Sequence, residues 1–136
     1  MPFMVWSENL SVGVEELDSD HKRIVAMLNE LYDGIAAQNG KELLAGLLDR
    51  LEAFTENHFA NEEKLFAVAN YPEAEAHMKE HNQMAAWSRK TLKEFRSGPL
   101  GAPSLEAMSY LKDWLSDHIL YSDKRYGPHL NDMGIH

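Results

Sequence analysis

Five histidines and two carboxylates recur in this chain at helical spacing: His21, His58-x-x-x-Glu62, His77-x-x-x-His81 and His118-x-x-x-x-Asp123. Each group lies on or beside the apolar stripe of a different amphipathic segment. Side chains four apart on an α-helix stand one above the other on one face. Polar groups placed on apolar faces are costly unless they meet partners, so the fold must gather them. Four antiparallel helices do so.

The first segment, about 18–38, follows Asp18 as N-cap and carries Ile24, Val25, Leu28, Leu31, Tyr32 and Ile35 on one stripe, which His21 extends. Asn39-Gly40 stops it. The second, about 41–67, places Leu44, Leu47, Leu48, Leu51, Phe54, Thr55, His58 and Glu62 at 3-4 spacing. Pro72 suits the first turn of a third helix, about 72–96, with His77, His81, Met84, Ala85, Leu92 and Phe95 near one side. Ser97 to Pro103 is the clearest loop, and Ser104 caps a fourth helix, about 104–121, bearing Leu105, Met108, Leu111, Trp114, Leu115 and His118. Gly127-Pro128 marks the end of regular structure within a C-terminal tail, 122–136.

Residues 1–17 form an arm whose Trp6, Leu10, Val12 and Val14 pack across the outside. The expectation is one all-α domain over 1–136, an antiparallel up-down-up-down four-helix bundle with an N-terminal arm packed on its outside.

His118 and Asp123 break the pattern. A five-residue step leaves them about 140° apart on an ideal helix. For both to face the core, the helix must distort between them, as by a π-bulge, or end near Tyr121.

The chain has no cysteine, which removes thiolate sites, disulfides and iron–sulfur clusters. Imidazole and carboxylate must therefore hold any metal, which suits iron, zinc, manganese or copper. The net charge of −9 argues against a nucleic-acid partner and towards a monomer. No run approaches the roughly 18 apolar residues of a membrane span. The start lacks a basic n-region and cleavage site, so we expect no signal peptide and a cytoplasmic location.

Seven N and O donors suit two metal ions better than one. His77, His81 and His118 on one metal and His21 and His58 on the other, with Glu62, Asp123 and an oxo or hydroxo group bridging, give six and five ligands. One position stays open for a small molecule.

These motifs resemble the hemerythrin family, specifically the single-domain bacterial hemerythrins. The resemblance rests on Trp6, Val12-Gly13-Val14, Asp18-x-x-His21-Lys22, His58-Phe59-x-x-Glu62-Glu63, Tyr71-Pro72, His77-x-x-x-His81, Trp114-Leu115-x-x-His118-Ile119 and Asp123-Lys124-x-Tyr126-Gly127-Pro128. It implies that the metals are two irons, that His21, His58, Glu62, His77, His81, His118 and Asp123 bind them, and that O2 takes the open position. It also implies an O2 pocket formed by Phe59, Trp114, Leu115 and Ile119, with Ile24 as a further lining residue. Asp20, Phe66 and Met84 depart from the common family pattern but lie outside the ligand set.

Reversible O2 binding for storage, delivery or sensing is the function implied. The alternatives are a di-iron oxidase, peroxidase or nitric-oxide-handling enzyme, and an interaction module read by a protein partner. Five imidazoles to two carboxylates favour holding O2 over splitting it, since oxygen-activating di-iron bundles use more carboxylates and Glu-x-x-His pairs. Glu63 points about 100° from Glu62 and reads as solvated. His129 and His136 read as surface residues, and Tyr126 as a packing or hydrogen-bonding one.

Overall fold

The structure, a computed structural model, describes residues 2–97 and 105–136. Four helices form an all-α four-helix bundle: α1, Glu15–Ala36; α2, Lys41–Ala69; α3, Ala74–Ser97; and α4, Leu105–Asp117. A π-helical turn, His118–Asp123, carries α4 on into α5, Lys124–Asp132. The described residues contain no strand, and no helix among them is long and apolar enough to cross a membrane.

Alternating helix direction decides where the site can be. The histidines of α1 and α3 lie early in their helices, His58 lies late in α2, and His118 directly follows α4. An up-down-up-down course brings all four groups to the same end of the bundle. The other end is filled with Leu28, Leu31, Leu44, Leu47, Leu51, Phe95 and Met108, all buried.

Left-handed residues stop α1 and α2. Gln38 has φ +58°, and the Asn39 amide closes back on the Gly34 carbonyl at 3.0 Å. Asn70 has φ +50°, Tyr71 N–H donates to the Phe66 carbonyl at 3.0 Å, and the two rings pack 5.1 Å apart. Both are the C-terminal arrangement in which a left-handed residue lets the chain reverse onto unpaired carbonyls. α3 begins at Ala74, two residues later than expected, so Pro72 sits in the turn before it, and Glu73 supplies the carbonyl that takes the His77 amide. Of the expected loop, only Ser97 lies within the described residues; the loop to Pro103 and the Ser104 cap do not.

Asp18 is not the N-cap of α1. The helix starts at Glu15, and the Asp18 carboxylate instead accepts from Ser11 Oγ at 2.5 Å and Val12 N–H at 2.8 Å. Glu15 and Glu16 supply the negative charge that a helix N-terminus favours. Asp18 thereby ties down the arm, whose Met4, Leu10, Val12 and Val14 are buried against the bundle.

The expected tail from 122 is also overturned. Regular structure continues to Asp132, because Tyr126 and Leu130, one turn apart, are both wholly buried and anchor α5. Pro128 costs this helix a backbone hydrogen bond but does not end it. Gly127 serves packing: a Cβ there would stand 2.1 Å from the Val12 carbonyl oxygen. The arm crosses α5 at that point, fastened by Lys124 Nζ to the Asn9 carbonyl and Asn131 Nδ2 to the Gly13 carbonyl.

Gly127→Ala is therefore expected to lower unfolding stability in urea by about 1–3 kcal/mol, the usual range for overpacking. Gly46→Ala meets nothing within 4 Å in mid-α2 and is expected to stabilise by about 0.5–1 kcal/mol. A Gly127→Ala protein as stable as the parent would show that the arm does not press on α5.

Candidate metal centre

All seven side chains singled out by the sequence meet at one end of the bundle, and none is more than 4% exposed. They form two overlapping groups, Glu62, His77, His81, His118 and Asp123 on one side and His21, His58, Glu62 and Asp123 on the other. Within each group, one donor atom per residue lies within 4.8 Å of all the others.

The two carboxylates divide their oxygens between the groups. Glu62 Oε1 is 3.0 Å from His81 Nε2, and Asp123 Oδ1 is 2.9 and 3.0 Å from His77 and His118 Nε2. Glu62 Oε2 is 3.3 Å from His58 Nε2, and Asp123 Oδ2 is 3.0 Å from His21 Nε2. Each carboxylate thus spans both sides.

The π-turn makes this possible for α4. Its widened turn bonds the Lys124 amide to the Ile119 carbonyl, five residues back, and brings Asp123 under His118. The helix distorts between them and does not end near Tyr121.

Short distances here are not hydrogen bonds. His21, His77, His81 and His118 Nε2, Glu62 Oε1 and both Asp123 oxygens are buried with no hydrogen-bond partner, although nitrogen and oxygen approach closely. Their lone pairs face a common centre instead of one another. Orphaned buried donors and acceptors are rare, and a cluster of them fits a set of ligands around metal ions.

Outside the centre three of the five rings are held by an acid, whereas His21 Nδ1 is buried without a hydrogen-bond partner. His58 Nδ1 meets Asp20 at 2.9 Å, His81 Nδ1 meets Glu63 at 3.1 Å, and His118 Nδ1 meets Glu80 at 3.2 Å. Such contacts fix each ring with Nε2 turned inward. Glu63 is therefore not the solvated residue expected. Glu80 and Asp20 complete a set that sequence reasoning missed. Each of the three acids is the immediate neighbour of a candidate ligand, about 100° round the helix, where it faces the adjacent helix. Asp20 beside His21, Glu63 beside Glu62 and Glu80 beside His81 are the signal that could have found them.

Tyr126, wholly buried, donates its hydroxyl to Glu62 Oε2, and burial beside two carboxylates pushes its phenol well above the ordinary value. His129 is half-buried, not a surface residue: its Nε2–H caps α2 at the Ala69 carbonyl, 2.7 Å away.

Aromatic rings cover the three-histidine side. Phe59 stacks on His81 at 3.9 Å and Trp114 on His118 at 4.4 Å. Beyond them lies a cavity of about 50 Å³ lined by Ile24, Phe59, Trp114 and Leu115, with Leu28, Leu51, Met84 and Met108 further along. Ile119 is buried but does not line it. On the α3 side the lining combines the small Ala85, Ser88 and Thr91 with Met84 and Trp87.

Burial pulls the His21 and His118 imidazoles down, but the facing carboxylates outweigh it and hold them up to about 9 and about 10. Burial likewise opposes ionisation of Glu62 and Asp123, yet the imidazoles hold both well below the usual carboxylate range. Asp20 and Glu80 are lowered by the His58 and His118 they bond. Protons and metal ions compete for the same lone pairs. Without metal, the raised histidines stabilise the fold fully below pH of about 6.5. That contribution is lost as pH rises through about 9 to about 10. The urea midpoint of metal-free protein is expected to fall across that window, and zinc or iron loading is expected to remove most of the fall. A flat midpoint in the metal-free protein would contradict the charge pattern.

The chain matches the family model for the hemerythrin HHE cation binding domain over residues 12–130. It is 35% identical over 128 residues to a bacteriohemerythrin of Pseudomonas aeruginosa, covering 93% of this chain and 80% of that protein. With the bacteriohemerythrin of Methylococcus capsulatus it shares 31% over 132 residues, 96% of this chain and 99% of that one. The crystal structure of wild-type hemerythrin aligns with a TM-score of 0.87 at 30% identity, covering 94% of this chain and 98% of that one. Sequence, fold and the description of the matched domain agree: this chain belongs to the hemerythrin family.

Proposed function

We propose that this protein binds O2 reversibly at a centre of two irons. His77, His81 and His118 hold one iron, His21 and His58 hold the other, and Glu62, Asp123 and an oxo or hydroxo group bridge them. The observation that carries the reading is the division of each carboxylate's oxygens between a three-histidine and a two-histidine group. When bound, the irons supply the electrons and the one open coordination position that O2 needs.

The chain's own residues then favour binding over reaction. Phe59 and Trp114, stacked on ligand rings, and Ile24 and Leu115, lining the cavity, exclude water from the centre. The Tyr126 hydroxyl stays protonated and holds Glu62 in place. The cavity of about 50 Å³ accommodates a diatomic molecule but falls far below the roughly 300–1,000 Å³ of ordinary ligand pockets. That size speaks for a small ligand over an oxidase whose organic substrate must also enter; the vacuum-reversibility of the bound state is what separates O2 carriage from peroxidase or nitric-oxide chemistry.

Reduced iron-loaded protein is expected to gain a visible absorption band on mixing with O2 and to lose it under vacuum. Catalytic O2 consumption with excess reductant and substrate, or no band at all, would sink the carrier reading.

His77→Ala is expected to lower the iron content below two per chain. Leu115→Ala is expected to keep two irons but to oxidise irreversibly several-fold faster, because solvent reaches the centre. Equal oxidation lifetimes in Leu115→Ala and the parent would remove Leu115 from the pocket.

A further inference from the structure

We infer that Glu80 on α3 is the positioning residue that locks the π-turn, and with it the alignment of His118 and Asp123. One carboxylate holds two points of the distorted segment. Glu80 Oε1 accepts from His118 Nδ1–H at 3.2 Å and from Ser122 Oγ at 2.7 Å, and Oε2 lies 3.0 Å from the same hydroxyl. His118 begins the turn and Ser122 stands next to its end. On a regular α-helix, residues 118 and 123 diverge by about 140°, so the wide turn is what makes His118 and Asp123 neighbours. A π-turn gives up regular helical hydrogen bonding and occurs mostly as an isolated single turn. Something outside the helix must hold it. Glu80 does so from a different element, and its side chain is 40% exposed, so it is not a core packing residue. The same contact orients His118, leaving Nε2 free towards the centre.

Glu63 provides the matched comparison. It meets His81 Nδ1 in the same manner, at 3.1 Å, with no hydrogen bond to the π-turn among the described residues. Both acids orient a histidine, and only Glu80 also grips a backbone distortion.

The clamp is a property of the chain itself, and its main test does not depend on the proposed iron chemistry. Amide hydrogen exchange is measured in the full-length metal-free protein for the parent, Glu80→Ala, Glu80→Gln, Ser122→Ala and Glu63→Ala, with α1 and α2 amides as the internal reference for folding. Glu80→Ala is expected to raise exchange across residues 119–124 at least tenfold while the reference amides stay as in the parent. Glu80→Gln keeps an acceptor for His118 and a partner for Ser122, and is expected to restore exchange to within about twofold. Ser122→Ala is expected to fall between them, and Glu63→Ala to leave the turn unchanged.

Zinc titration of the same proteins is expected to show affinity losses of about 10–100-fold for both Glu80→Ala and Glu63→Ala. Exchange at 119–124 that is equal in Glu80→Ala and Glu63→Ala, or a Glu80→Gln protein as open as Glu80→Ala, would overturn the clamp. Failure to bind O2 would overturn the functional reading and leave the exchange result standing.

Discussion

The structure depends on burying two carboxylates among five imidazoles with their lone pairs turned inward. Such a cluster, left to itself, is held together only by protons, as the raised histidines and lowered carboxylates of the metal-free chain indicate. Its geometry is nevertheless not that of proton sharing, because the closest nitrogen–oxygen pairs lack hydrogen-bond alignment. A metal removes the conflict: it takes the lone pairs that the fold has already aimed, and neutralises the carboxylate charge that burial penalises. The donors that the fold gathers are the ones a cation would take.

Other features follow from the need to hold that aim. Three histidines are braced from behind by acids on neighbouring helices. Tyr126 reaches Glu62 from α5, which is itself pinned by the arm lying across Gly127. The N-terminal arm is thus linked to the centre mechanically, through α5 and a buried tyrosine, without contributing a ligand. Met4, Leu10, Val12 and Val14 of the arm are buried for that reason, as part of the packing that holds α5 in place.

Much of this was legible in the sequence because the ligands share the period of the core. His58 and Glu62 continue the stripe of Leu44, Leu47 and Leu51, so one periodicity gives helix, buried face and ligand pair together. Even the misfit was informative, since the five-residue step from His118 to Asp123 demanded a distortion and the π-turn is that distortion. What failed was punctuation. Gly127-Pro128 reads as a stop, yet the glycine is there to admit the Val12 carbonyl, a contact 115 residues away that no local rule contains. Asp18 reads as a cap, but its partners lie in the arm. Asp20, Glu63 and Glu80 each stand beside a candidate ligand, but which histidine each one braces lies on another helix, and helix-to-helix register is not written in any single segment.

The position of the cavity carries the reasoning one step further. Both stacked rings, Phe59 and Trp114, lie on histidines of the three-histidine group, which on the proposed assignment has no free coordination position to protect. Ile24, by contrast, stands one turn beyond His21 on the same face of α1 and lines the cavity, so one wall of the space is continuous with the two-histidine side. Aromatic rings thus stack on the three-histidine side, and aliphatic side chains line the cavity beside them. A uniformly aromatic wall would seal the centre, and a uniformly aliphatic one would leave His81 and His118 free to turn. The small residues of α3, Ala85, Ser88 and Thr91, look like poor packing when α3 is considered alone; beside the centre they line, with Met84 and Trp87, the apolar volume next to it.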